Sequence, residues 1–240
     1  MINVNWAFNI GHTFRDESLL SNVEITTDIF TSLVKETNQN RKNVIFKRCP
    51  AHTNFLKNTY VLKSPIDIEL EIVVSDTTKD VYSKNLPQHI FEQIIDFRFL
   101  DDNERGESPF PILGIDFLNS FTVDQSLLLQ VFPAFMHQND FTQKCTVIPG
   151  EFDIHKWVRP VELVFECHQQ RQTIQIKKGD ALSYFKFCTD ESVKIIKGSM
   201  PLDDIVACNE IVKSSPWKPL KDRYESYGQY KKSVSNNDNT

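Results

Sequence analysis

The densest collection of chemically capable side chains lies in Cys145-Thr-Val-Ile-Pro-Gly-Glu-Phe-Asp-Ile-His-Lys-Trp-Val-Arg-Pro160. Within it, Asp153 could serve as a general base or a metal ligand and His155 as a ligand or acid, which makes these two the catalytic candidates. Trp157 offers a face on which a planar ring could stack, and Arg159 a forked donor for a carboxylate or phosphate. Glu151 and Lys156 add charges of both signs for orienting a ligand. The same letters also describe a purely structural loop, in which Pro149-Gly150 turns the chain, Phe152 and Trp157 plug the core, and Asp153 pairs with Arg159. Both readings stay open on sequence alone.

Other chemistries find less support. The chain has no GxxxxGK[ST], no GxGxxG and no GxSxG, and its seven glycines are dispersed, so phosphate cradles and a nucleophile elbow are not expected. An iron oxygenase would carry His-x-Asp/Glu with a distant third histidine. None of His12, His52, His89, His137, His155 and His168 is followed by that spacing. His137 with Asp140, or His155 with Glu162, could meet only if the fold brings them together, and no metal site is expected. The five cysteines (Cys49, Cys145, Cys167, Cys188, Cys208) are an odd number without a CxxC, and they are expected to be buried free thiols. No particular cofactor is implied.

These side chains must be held by something, and the composition is that of an ordinary globular protein: 240 residues, 40% hydrophobic, 25% charged, with eighteen Phe to fill a core. A net charge of −5 gives no general attraction to nucleic acid or anionic lipid. No apolar run approaches the roughly 18 residues that cross a bilayer. The opening residues lack the basic start and apolar stretch of a secretory signal, so secretion by that route is not expected.

Period-two patterning dominates from Val44. Ile68, Leu70, Ile72 and Val74 share one face of a strand, as do Ile95, Phe97 and Phe99, and again Val161, Leu163 and Phe165. Further strands are expected at Val44–Lys47, Tyr60–Leu62, Phe121–Phe132, Thr173–Ile176, Ala181–Phe187 and Val193–Lys197. One helix is expected near 27–37, from the spacing of Ile29, Phe30, Leu33 and Val34. Many short strands and frequent turns predict a mainly β fold: an antiparallel sandwich, jelly-roll-like, or a partly closed barrel with one wet face. This core is expected over 1–198. A helical appendage is expected over 199–232, carrying Leu202, Ile205, Val206 and the tyrosines of Lys218–Lys232, followed by a disordered tail over 233–240.

Two resemblances bear on function. Gly150, Asp153, Trp157 and Arg159, followed by Lys178-Gly-Asp-Ala-Leu-Ser-Tyr-Phe185, are similar to the hairpins of trimeric dUTP pyrophosphatases and dCTP deaminases. The Arg-Ser motif and the Gly-rich C-terminal arm of that family are missing, and Trp157 and Arg159 lie further from Asp153 than its pattern wants. Arg48-Cys-Pro-Ala51, Asn58-Thr-Tyr-Val-Leu-Lys-Ser-Pro65 and Pro149-Gly-x-Phe-Asp-Ile-x-Lys-Trp-x-Arg-Pro160 resemble a group of hypothetical proteins from tailed phages of cyanobacteria and other marine bacteria, over about Cys49 to Tyr227. That resemblance implies a viral origin and a place in the infected bacterial cytoplasm or the virion, and it implies no reaction. The expectation is a non-enzymatic protein that binds a protein partner or itself, as a virion component or a modulator of a host protein. The alternative is a small-molecule enzyme using the 150–159 loop, either a dUTPase-like nucleotide hydrolase or a non-haem iron oxygenase.

Overall fold

The computed structural model describes residues 1–8, 29–40, 49–75, 79–96, 111–117, 119–157 and 159–198. In chain order the first half contains β1 (Ile2–Phe8), β2 (Phe30–Ser32), α1 (Leu33–Asn40), α2 (Pro50–Leu56), β3 (Thr59–Lys63), β4 (Ile68–Val74), β5 (Lys79–Ser83), α3 (Gln88–Ile94), β6 (Ile95–Asp96) and β7 (Ile112–Ile115). The second half contains β8 (Asn119–Thr122), β9 (Leu128–Pro133), α4 (Asp140–Lys144), β10 (Cys145–Val147), β11 (Gly150–Asp153), β12 (Leu163–Cys167), β13 (Arg171–Ile176), β14 (Ala181–Phe187) and β15 (Val193–Lys197).

Four sheets result, ordered β15-β1-β8, β10-β12-β7-β6, β11-β9-β14-β3-β2 and β13-β4-β5. Among the described residues every pairing is antiparallel except β1 with β15. Among the described residues the sheets do not close into a barrel. One contiguous apolar cluster receives side chains from all four, including Trp6, Leu70, Phe165 and Phe185.

The alternating runs do what period-two patterning demands. β4 buries Ile68, Leu70, Ile72 and Val74 and turns Glu69 and Glu71 to the other face, where Lys84 meets Glu71 at 2.6 Å. β12 likewise buries Leu163, Phe165 and Cys167. β14 departs from alternation and is buried at six of seven positions. Its sheet is covered on both sides: Leu182, Phe185 and Phe187 face the main core, while Ala181 and Tyr184 face a second cluster with Leu33 of α1 and Leu56 of α2. The expectation of one wet face fails for this sheet because two helices lie over it.

Other corrections have equally local causes. The helix expected near 27–37 begins at Leu33, because Phe30 pairs with Leu62 in β3 and its ring sits 5.4 Å from those of Trp6, Phe121 and Phe185. Aromatic packing thus overrides helical spacing at Phe30. The single strand expected over Phe121–Phe132 is two, β8 and β9, in different sheets, separated by the polar bend at Asp124-Gln-Ser126. Cys145 and Cys167 are buried, whereas Cys49 and Cys188 are exposed at element ends, against the expectation of burial. The strands expected at Val44–Lys47 and beyond Asp96 lie outside the described residues, as do Cys208, the helical appendage and the tail.

Two backbone positions are dictated by geometry. Gly179 has φ +89° in the turn from β13 to β14, where Lys177 N–H bonds the Asp180 carboxylate at 2.9 Å. Asn58 has φ 56°, and its side chain links Thr189, Glu191 and Val193 across to β15.

Candidate functional site

β9 lies between β11 and β14, and its two ends carry different chemistry. At the Leu128 end is the loop that holds the expected site. β11 runs antiparallel to β9 with Glu151 opposite Gln130 and Asp153 opposite Leu128. The exposed Glu151 carboxylate accepts from Gln130 Nε2 at 2.7 Å. One Asp153 oxygen accepts from the His155 backbone N–H at 3.2 Å. The other accepts from Ser126 Oγ at 3.2 Å and pairs with Lys156 Nζ at 3.3 Å.

The Asp153 carbonyl receives the N–H groups of Lys156 and Trp157, at 3.0 and 2.9 Å. His155 Nδ1–H donates to the Val123 carbonyl at 3.0 Å, which fixes the ring tautomer. Ile154 is buried, and the half-buried Trp157 meets Phe152 edge-on at 4.7 Å while donating Nε1–H to Pro160 O at 3.4 Å. The fold therefore brings Glu151, Asp153, His155, Lys156 and Trp157 together in one tight turn. Each of these polar groups has a partner that shapes the turn. The expected Asp153–Arg159 pair is replaced by Asp153–Lys156. Arg159 is half-buried, and its Nε is enclosed with no hydrogen-bond partner among the described residues.

The histidine pairings resolve differently from either expectation. Asp140 binds Lys144 at 2.8 Å and accepts the Gln175 N–H at 2.7 Å, so it is not the partner of His137. His155 turns to Val123 rather than to Glu162. No group of three or more His, Cys, Asp or Glu is placed to hold a metal ion among the described residues.

At the Pro133 end of β9 is a cluster that sequence reasoning missed. Glu36 of α1 is 5% exposed, and its carboxylate is bonded to Lys63 of β3 and, at 2.8 Å, to His137 Nε2. His137 Nδ1 lies 2.7 Å from the hydroxyl of Tyr184, a residue with no exposed surface, and that hydroxyl accepts the Met136 N–H at 3.1 Å. One proton arrangement satisfies every group. Nε2–H donates to Glu36, and the phenol hydrogen goes to Nδ1. Burial raises the Glu36 carboxyl, but hydrogen bonds from His137 and Lys63 outweigh it and hold the group below the usual carboxylate range. The sequence carries one signal of this: Glu36 and Thr37 follow Leu33 at three and four residues, so a carboxylate lies on the buried stripe of α1.

This network fixes the turn above it. Ala134 is buried, while Phe135 is 63% exposed and stands on the rings of Tyr184 (5.4 Å) and Phe55 (5.6 Å). Beside it opens a cavity of about 330 Å³ lined by Phe135, His137, Gln138, Gln143, Thr146 and Val147, with Cys145 and Leu182 also in its wall. Its far side is held by α4, whose start is closed reciprocally by Asn139 and Thr142. Chemically the arrangement offers a rigid aromatic projection next to a pocket of neutral hydrogen-bonding and apolar groups. A scan against protein-family models returns no match, and a search of curated proteins returns none either.

Proposed function

We propose that the protein works by binding another protein, or a second copy of itself, as a phage virion component or a modulator of a host protein in the bacterial cytoplasm. The observation that carries this reading is Phe135: a large aromatic, mostly exposed, held from beneath by Tyr184 and Phe55 at the mouth of a preformed cavity. Rigid aromatics beside desolvated pockets are the side chains that dominate protein interfaces. The phage resemblance supports the setting. The net charge of −5 supports a protein partner rather than nucleic acid or membrane. The separate, unclosed sheets around one apolar cluster support a jelly-roll-like sandwich over a partly closed barrel.

The enzyme alternative, with Asp153 and His155 as catalysts and Trp157 and Arg159 as binders, draws less from the geometry. An Asp153 acting as base would first have to release Ser126, Lys156 and the His155 N–H.

The test places a photo-reactive benzoylphenylalanine at position 135, or at Tyr82 as an exposed control, in the full chain produced in a host bacterium. A discrete protein adduct from position 135 and none from position 82 is the expected result, and its mass separates a partner from a second copy. Equal labelling from both positions, or no adduct from 135, would overturn the reading.

A further inference from the structure

We propose that Cys145 and Cys167 form a dithiol site, reached through the cavity beside Phe135, that a low-molecular-weight disulfide converts into a cross-strand disulfide. The two residues are direct partners in the β10–β12 register. Flanking bonds run from His168 N to Lys144 O (2.9 Å) and from Ile148 N to Val164 O (2.8 Å), while Cys167 N turns away to Pro111 O on the β7 side. Cys145 and Cys167 therefore occupy a non-hydrogen-bonded position, where the strands approach most closely. Such pairs have Cα atoms about 4.5 Å apart, inside the roughly 4.4–6.8 Å that disulfides span. Both side chains project to one face of the sheet, and they are 3% and 0% exposed. Burial, and then the neighbouring Cys167 thiol, push the Cys145 thiol well above its ordinary range, so its reaction is slower than that of exposed Cys49 or Cys188.

Access decides the order of events. Cys145 is in the cavity wall and Cys167 is not among the lining residues, so Cys145 reacts first. Its thiolate attacks one sulfur of the small disulfide, forming a mixed disulfide and releasing one thiolate. The Cys167 thiolate then attacks the Cys145 sulfur and expels the second. Two protein thiols are oxidised, one small disulfide is reduced to two small thiols, and the two protons leave with them.

The test uses the full chain with Cys49, Cys188 and Cys208 changed to Ser, exposed to oxidised glutathione while circular dichroism reports the folded state. The expected result is a mass lower by two hydrogens with no glutathione retained, both remaining thiols lost to counting in denaturant, and a Cys145–Cys167 peptide that a dithiol reductant splits. If the triple variant does not fold, peptide mapping of the unmodified chain reads the same link. The idea is overturned if both thiols are still counted in denaturant after the folded protein has been exposed, if the bridge forms only in denaturant, or if a further Cys167→Ser change leaves the mass loss intact.

Discussion

The two ends of β9 contrast a site that is dense in sequence with one that is dense in space. Around Asp153, six chemically capable residues lie within nine positions, and the fold uses most of them to build a surface turn. Around His137, no two of the side chains in the network are near in sequence: His137 is 101 residues from Glu36 and 47 from Tyr184. Closeness along the chain favours local hydrogen bonds, which are inexpensive to form and easily solvated. Closeness across a sheet buries polar groups such as Glu36 and the Tyr184 hydroxyl where water poorly replaces a missing partner, so they are satisfied by other side chains and backbone.

Breaking each end should expose that difference. The largest effect is expected from Glu36→Ala, which strands Lys63 and His137 beside a buried gap; removing one member of such a pair costs about 3 kcal/mol, read from the urea midpoint. Tyr184→Phe, which leaves the Met136 N–H and His137 Nδ1 without their shared hydroxyl, should cost about 1–2 kcal/mol by the same measurement. Asp153→Asn should cost only about 0.5 kcal/mol, since the amide retains the bond from the His155 N–H and loses a partly exposed ion pair. Equal losses at Glu36 and Asp153 would erase the distinction between the two ends.

Acid sharpens it. The Glu36 carboxyl sits below its usual value near 4.5 in the folded state, so between the two values the unfolded chain binds more protons. Its contribution is complete above that usual value and is lost as pH falls through the lower, folded one. Urea midpoints measured downward from pH 5 should fall more steeply for the natural chain than for Glu36→Gln. Parallel curves would assign the acid sensitivity elsewhere. The smallest stability change is expected for Phe135→Ala, at about 0.5 kcal/mol or less for a mostly exposed ring, although affinity for the protein identified through the position-135 adduct should fall at least about tenfold.

Much of the sheet structure was legible because alternation is a local property. Ile68–Val74, Ala181–Phe187 and Val193–Lys197 fold as strands over the residues expected. What the pattern concealed was set by distant partners. Phe30 reads as helical until Trp6, Phe121 and Phe185 surround it, and β14 reads as one-sided until α1 and α2 cover its second face. The short helices at Pro50, Gln88 and Asp140 span too few residues to show a period. The candidate site was legible only as a buried carboxylate on a helix stripe, since its other members come from three separate parts of the chain.

The pairing of β1 with β15 bears on how the chain is made. Ile2 lies opposite Val193, and the other neighbour of β1 is β8, which begins at Asn119. Synthesis makes β1 before either neighbour, so Ile2, Val4 and Trp6 have both sheet partners only after nearly two hundred further residues have followed. Completing this sheet therefore requires one stretch of backbone to be joined to another made long after it, a contact of high sequence separation that slows folding.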